Sequence, residues 1–478
     1  MPPYLMYTKE NTMQATIVID LGFGDAGKGT MVDYLSRGMR EPVIVRFNGG
    51  AQAAHNVVTP RGVHHTFSQF GSGTLVDGVR TFLSRFMLLD PYALLAESRG
   101  LEKLGVKNPL ARVMVDGEAL VVTPFHKAAN RLREVLRGNG RHGSVGMGIG
   151  ETMADMLAFP HLAVRAQDLR SLATIEMKCR GLQELKYSEF KDSFTGVAAT
   201  GFLPDELRIL TDPFAPRKVA YEMVRIARLF SLVSMKTLER LSYTHPLIFE
   251  GAQGVLIDEW HGFHPYTTWS TTTNANANIL LREIVYPNNV TRLGVVRAYG
   301  TRHGPGPFPS ENMELTMRLP DKHNNFGIWQ GGFRVGWLDI PLTRYALTVS
   351  DGTESVALTH LDRYATLPQK RLVTAYKVLK GKLTEREKAV IVVDWKKSQG
   401  DEMYIVSFRR KSNLEDLEYQ EMLGEILTKA TPVVEDIDYT EERFIEYVSK
   451  LLSLPISVTS HGPTAFEKLE KVKIQKAA

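Results

Sequence analysis

Residues 15–20 read ATIVID, an apolar run rich in β-branched side chains. LGFGDAGKGT follows at once, and from Lys28 the chain turns helical, with Met31, Tyr34 and Leu35 on one face. A strand that passes through a glycine turn into a helix builds an open α/β sheet, with the turn at the carboxyl end of the strand and backbone N–H groups aimed at an anion. From Gly22 to Lys28 the spacing is that of a phosphate-binding loop, G-x-x-x-x-G-K. Gly29 then stands where a hydroxyl residue is expected, and Thr30 arrives one position late. The loop amides predict phosphate binding, with Lys28 adding a compact positive charge. Asp25 is out of place among phosphates, because like charges repel. It fits if a Mg²⁺ ion lies between them or if it takes a proton from a second substrate, so Asp25 is a candidate metal ligand, general base, or both.

Further apolar runs at 42–47, 112–124, 246–251, 292–300 and 355–362 read as strands. Helical patterns at 221–241 and 341–350 lie between them, and short strands return over 371–408. EERFIEYVSKLLS then reads as a helix before a last strand, PISVTS. This alternation predicts an α/β fold with a large, mostly parallel central sheet and helices on both faces. The chain has 478 residues, 43% hydrophobic and 23% charged, and shows no repeat or clean linker. We expect one domain with insertions over 15–478, after a loose extension over 1–14. The net charge of +5 suits anionic metabolites and is too small for a nucleic-acid footprint. The single cysteine, Cys179, excludes an intrachain disulfide or a multi-thiolate metal site and reads as a small buried apolar residue. The opening residues lack the apolar core of a signal peptide, and no run of about 18 apolar residues occurs, so the expected location is the cytoplasm, with no membrane partner.

Three more strand ends carry polar groups. RFNGGAQAAHN (46–56) contributes His55, FEGAQG (249–254) contributes Gln253, and THLD (359–362) contributes Asp362, which either accepts from a guanine edge or caps the next turn.

In order along the chain, GDAGKG, NGGAQAAHN, FEGAQGVLID with HGFHPYTT, VVRAYGTRHGPGPFPSE, GWLD (336–339), LTHLD and SHGP (460–463) resemble the motifs of adenylosuccinate synthetases, from about residue 15 to 465. In that family the loop aspartate serves as base and Mg²⁺ ligand, which accounts for a loop without a hydroxyl after the lysine. The resemblance implies a GTP- and Mg²⁺-dependent carbon–nitrogen ligase acting as a homodimer on a purine nucleotide and an amine. GTP phosphorylates the 6-oxygen of IMP or a related nucleotide, and the amine, L-aspartate in the family, displaces the phosphate. By the same resemblance Asp25, His55 and Gln253 are catalytic. Gly24, Asp25, Gly27, Lys28, Gly29, Thr30, His55, Asp362, Ser460 and Gly462 hold GTP. Gln52, Val145, Gln253, Thr268 and Arg334 face the substrates, and Asp25 with Ala54 holds the metal.

The chain departs from the family pattern where substrates bind. The arginine-rich segment before GWLD is WQGGFRV (329–335), with Arg334 alone remaining, which removes bidentate grips on a dicarboxylate. SVGMGIGE (144–151) replaces TTGRGIGP, Phe159 occupies the place of an arginine that reaches a partner subunit's site, and His360 replaces a lysine beside guanine. Phosphoryl chemistry is therefore expected to persist while specificity, for the amine above all, shifts. The other class of function, a nucleotide-binding regulatory or scaffold homologue without turnover, has no use for Asp25 and His55 together.

Overall fold

The computed structural model describes residues 13–138, 144–194, 204–321, 332–437 and 440–471. Most of the expected N-terminal extension and residues 329–331 of the altered segment lie outside the described residues. The chain divides into two compact units: Met1–Thr16, Gly29–Glu250 and Asn276–Val290 form the first, and Ile17–Lys28, Gly251–Ala275 and Thr291–Ala478 the second.

The first unit carries five parallel strands in the order Leu247–Glu250, Val43–Arg46, Arg80–Leu83, Val113–Asp116, Ser231–Val233. Leu247–Glu250, Val43–Arg46 and Val113–Asp116 are buried at every residue, which is why they read as unbroken apolar runs rather than as alternation. Arg46 and Glu250 lie opposite each other at the carboxyl ends of neighbouring strands. The helix expected over 221–241 is instead a helix Ala215–Ala227, the strand Ser231–Val233 and a helix Met235–Ser242. Apolar residues at 230, 232 and 233 fit either period, and pairing with Met114–Asp116 decides for the strand. Within 112–124 only Val113–Asp116 forms a strand, because a turn follows at Gly117 and a helix begins at Pro124.

Three helices of this unit, Pro124–Leu136, Ile149–Ala158 and Leu172–Phe190, are tied by buried charge. Lys186 is 2% exposed and donates to Glu151 at 3.0 Å and Asp155 at 2.7 Å. Arg133 grips Glu151 with two nitrogens, at 2.7 and 3.2 Å, and His126 Nε2 lies 3.4 Å from Asp155. Cys179, on Leu172–Phe190, is fully buried, and burial pushes its thiol up to about 12.

In the second unit the strands Lys468–Glu470, Ile456–Ser460, Ser355–Thr359, Val290–Arg297 and Ala15–Asp20 lie side by side in that order. The middle three are mutually parallel and Lys468–Glu470 is an antiparallel addition beyond the expected last strand. Asp20, Arg297, Thr359 and Ser460 thus end adjacent strands. A second sheet, Tyr299–His303, Phe333–Asp339, Arg371–Leu379, Glu402–Phe408 and Ile391–Val393, is mostly antiparallel, in keeping with the short strands expected over 371–408. Together the strands and helices make the α/β fold with a mostly parallel sheet. Asp339 caps the helix Ile340–Val349 by accepting from Leu342 N and takes a hydrogen bond of 2.6 Å from the Tyr376 hydroxyl. Burial outweighs both bonds and raises its carboxyl to about 7. Among the described residues no helix is long and apolar enough to cross a membrane.

Two stability measurements check these features. Lys186→Met removes the ammonium shared by two buried carboxylates, and chemical denaturation is expected to show a loss on the order of 3 kcal/mol. Asp339 binds its proton more tightly folded than unfolded, so its contribution is fully present below about pH 4 and is lost as pH rises through about 7. Asp339→Asn, which keeps the cap, is expected to flatten the fall in melting temperature between those limits.

Candidate functional site

The loop after the first strand is organised from within by Asp20. This carboxylate, 1% exposed, accepts from Gly22 N and Ala26 N at 2.9 Å each and from Lys28 Nζ at 3.0 Å. Gly24, Asp25 and Gly27 take left-handed backbone conformations, with φ of +113°, +59° and +97°. Among the described residues their N–H groups donate to nothing. A series of unpartnered N–H groups at the start of an 11-residue helix forms a concavity for an anion. Lys28 commits one donor to Asp20 and has two more to offer a phosphate.

Asp25 points away from that inner bond. Its Oδ2 lies 3.1 Å from His303 Nε2, its backbone carbonyl accepts from Arg297 Nη1 at 3.1 Å, and its Oδ1 has no hydrogen bond among the described residues. Burial works against its charge, but the His303 hydrogen bond and the charges of His303, Lys28 and Arg297 prevail and hold the carboxyl below its ordinary value. Asp25 is therefore an ionised carboxylate with one open oxygen, able to accept a proton or to ligate a cation. Arg297 also donates to the Tyr299 hydroxyl at 2.6 Å and lies over that ring, and Thr359 donates to Ala26 O at 2.6 Å.

The other residues singled out in this unit fall into two groups. Gln253, itself left-handed at φ +58°, has both amide atoms buried without a partner among the described residues. Its turn is pressed against the loop: a Cβ on Gly254 would sit 2.2 Å from Gly22 O. Half-buried Thr268 and Asp362 make no side-chain hydrogen bond among the described residues. Asp362 opens a short helix after His360, whose ring burial keeps well below its usual pKa and hence neutral. In contrast, Ser460 donates to Gly462 O at 3.2 Å, and Gly462 lies where a Cβ would strike the Glu467 carboxylate. Arg334 is committed inside the chain: Nε bonds Glu311 Oε1 at 3.0 Å, Nη2 bonds Glu311 Oε2, and Nη1 bonds Gly304 O and Gly306 O at 3.0 Å each. It has one N–H to spare, too few for the two-point grip on a substrate expected from its position.

In the first unit His55 opens the hairpin strand His55–Val58, and its Nδ1 lies 2.5 Å from Glu250 Oε1. Glu250, fully buried, also accepts from Ser72 N at 2.9 Å and from the Ser72 hydroxyl. Burial opposes its charge, yet Arg46, His55 and Ser72 together hold the carboxyl at about 2. An ionised Glu250 fixes the hydrogen of His55 on Nδ1, leaves Nε2 as the ring atom directed away from the carboxylate, and stabilises the imidazolium. Gln52 has both amide atoms buried without a partner among the described residues, Ala54 is exposed and can offer a ligand only through its backbone oxygen, and Val145 is 36% exposed. Thr30 follows Gly29 within the helix Lys28–Gly38. The missing hydroxyl at 29 has a steric reason: a Cβ there would lie 2.7 Å from His55 Cβ and 3.1 Å from Ser72 Oγ.

Sequence reasoning left Asp20, Glu250, Ser72, Arg297 and His303 without roles. Asp20 and Glu250 carried a signal, a lone acid ending a fully apolar strand; nothing local marked the others. No cluster of three or more His, Cys, Asp or Glu that could hold a metal occurs among the described residues. That suits Mg²⁺, which commonly takes one or two protein carboxylates and completes its shell with phosphates and water, and the open oxygen of Asp25 fits such a site.

Gly29→Ser is expected to force His55 aside, costing about 1–3 kcal/mol of stability by thermal denaturation, with a matching loss of turnover.

The model of the adenylosuccinate synthetase family matches residues 17–468. The chain is 33% identical over 368 residues to the adenylosuccinate synthetase of Clostridium beijerinckii, covering 76% of this chain and 82% of that one. It is 28% identical over 460 residues to the enzyme of Syntrophobacter fumaroxidans, covering 96% and 99%. Its fold matches the fully ligated adenylosuccinate synthetase of Plasmodium falciparum with a TM-score of 0.73 at 21% identity, covering 96% of this chain and 99% of that one. Matched over nearly its whole length by the family model, and built around an Asp25-bearing glycine loop, this chain belongs to the adenylosuccinate synthetases, the GTP- and Mg²⁺-dependent ligases that act on IMP and aspartate as homodimers.

Proposed function

We propose that this chain carries out the family reaction with Asp25 as its base, and that His55, oriented by Glu250, stabilises the moving phosphoryl group. The observation that carries the reading is the state of Asp25: ionised, held by one oxygen and, among the described residues, open at the other, in a loop with three N–H groups that are there unpartnered. In the first step Asp25 takes the N1 proton of the purine ring. The 6-oxygen, now electron-rich, attacks the γ-phosphorus of GTP, the bond to the β-phosphate oxygen breaks, and GDP leaves. In the second step the amine nitrogen attacks C6, and inorganic phosphate departs with the electrons of the C6–O bond and takes up the proton that the nitrogen sheds. An amide-like oxygen is a poor leaving group and phosphate a good one, which is the chemical reason for using GTP.

The chain's own groups meet charge where it grows. The N–H groups of Gly24, Asp25 and Gly27 and the ammonium of Lys28 face the phosphates. A magnesium ion would be held by Asp25 and the backbone oxygen of Ala54, and would supply further charge neutralisation for the phosphates. His55 Nε2 donates to the phosphoryl oxygens as they separate from the β-phosphate. The side-chain amides of Gln253 and Gln52, unpartnered among the described residues, and the hydroxyl of Thr268 bind the purine nucleotide. Asp362, whose carboxylate has no other hydrogen bond among the described residues, accepts from guanine, with Ser460 and Gly462 beside it and neutral His360 in place of a cation. The proposed location is the cytoplasm, and the proposed assembly a homodimer.

Purified protein with GTP, Mg²⁺, IMP and L-aspartate is expected to produce the adenylosuccinate absorbance band together with phosphate release. Asp25→Asn keeps the shape but cannot accept the proton, and is expected to lower kcat on the order of 10²- to 10⁴-fold. Glu250→Gln leaves His55 without its charged partner, with an expected loss of about 10- to 100-fold in kcat and little change in the KM for IMP. Phosphate release with other amines but not with L-aspartate would place the chain with a different co-substrate.

A further inference from the structure

His303 is the one side chain hydrogen-bonded to the Asp25 carboxylate among the described residues. It ends the strand Tyr299–His303, pairs in register with Phe333 on the neighbouring antiparallel strand, and lies with its ring against the Phe333 ring at 4.9 Å between centroids. The ring is 19% exposed, so strand and aromatic neighbour aim it at Asp25 and little room is left for another rotamer. An ionised carboxylate only accepts, so Nε2 carries the hydrogen and donates it to Oδ2.

Asp25 needs such support. It sits on a glycine loop in a left-handed conformation, where a backbone costs about 1–2 kcal/mol and a carboxylate has several orientations open to it. Arg297 fixes its carbonyl but not its side chain. We propose that His303 is a positioning residue for the base: by holding Oδ2 it selects the carboxylate orientation in which Oδ1 faces the reacting groups. This inference rests on the assignment of Asp25 as the base and adds a residue that acts only through it. Because His303 contributes alignment, its loss lowers the rate of the chemical step while nucleotide binding through the loop amides, Lys28 and Asp362 stays intact. A misaligned reacting group costs about 10- to 100-fold.

The test uses three variants of the full chain. Glutamine carries its amide nitrogen about as far from the backbone as Nε2; asparagine and valine cannot reach Asp25. His303→Val and His303→Asn are expected to lose about 10- to 100-fold in kcat, with KM for IMP and GTP and the equilibrium binding of GTP in Mg²⁺ within about twofold of the parent, while His303→Gln recovers most of the rate. Melting temperatures are read for each, and the contrast of Gln with Asn carries the test if the valine variant does not fold. Equal rates for Gln and Asn would overturn the inference, as would an unchanged kcat in Val, or a rise in KM with kcat intact, which would make His303 a substrate contact. A parent protein that turns over nothing would instead overturn the reading of Asp25 as a base, and His303 with it.

Discussion

The buried Asp20–Lys28 pair is the constraint from which the phosphate loop takes its form. A carboxylate at the end of an apolar strand is costly unless every lone pair is used, and here two loop amides and an ammonium use them. The chain closes back on Asp20 at Gly22, Ala26 and Lys28, and Gly24, Asp25 and Gly27 between them take left-handed conformations, with N–H groups that donate to nothing among the described residues. One acid, turned inward, shapes the loop so that a second acid, five residues on, can be presented for chemistry. The two roles cannot be exchanged, because both Asp20 oxygens are bonded within the loop and Asp25 has no set of amides to shape.

The same chemical pair, a carboxylate with an imidazole, is used in two opposite senses. Glu250 is fully buried, held ionised by Arg46, Ser72 and His55, and works through the histidine it orients. At Asp25 the carboxylate carries the open atom and His303 supports it. In each case a residue at the end of a sheet strand, Glu250 or His303, holds the partner to which the proposed reaction gives the chemistry. This is how polar sites are commonly built, with the reacting group placed on a loop and its geometry taken from regular structure behind it.

Two of the positions that depart from the family pattern are likewise fixed from within the chain. Arg334 survives in a segment that has lost its other arginines, but it is bonded to Glu311 and to the carbonyls of Gly304 and Gly306. A guanidinium bound in that way holds the HGPGPFPSE turn in place. His360, neutral by burial and set edge-on to Tyr299, likewise offers shape where a lysine would offer charge.

The sequence by itself determined the elements and the loop. ATIVID read as a buried strand and its glycine turn as a candidate anion site, while Asp25 stood out as an acid among expected phosphates and His55 by its place at a strand's end. These are local facts, set by side-chain period, glycine's freedom and charge. The break of 221–241 into helix, strand and helix was not local, since pairing with Val113–Asp116 overrode a periodicity that suited either state. The partners were not local either: His55 finds Glu250 across 195 residues, and Asp25 finds Arg297 across 272. Which acid holds which histidine, which arginine is already taken and why no side chain fits at position 29 are decided by sheet register and close packing, because a hydrogen bond exists only within about 3 Å and no spacing along a chain fixes a distance that short.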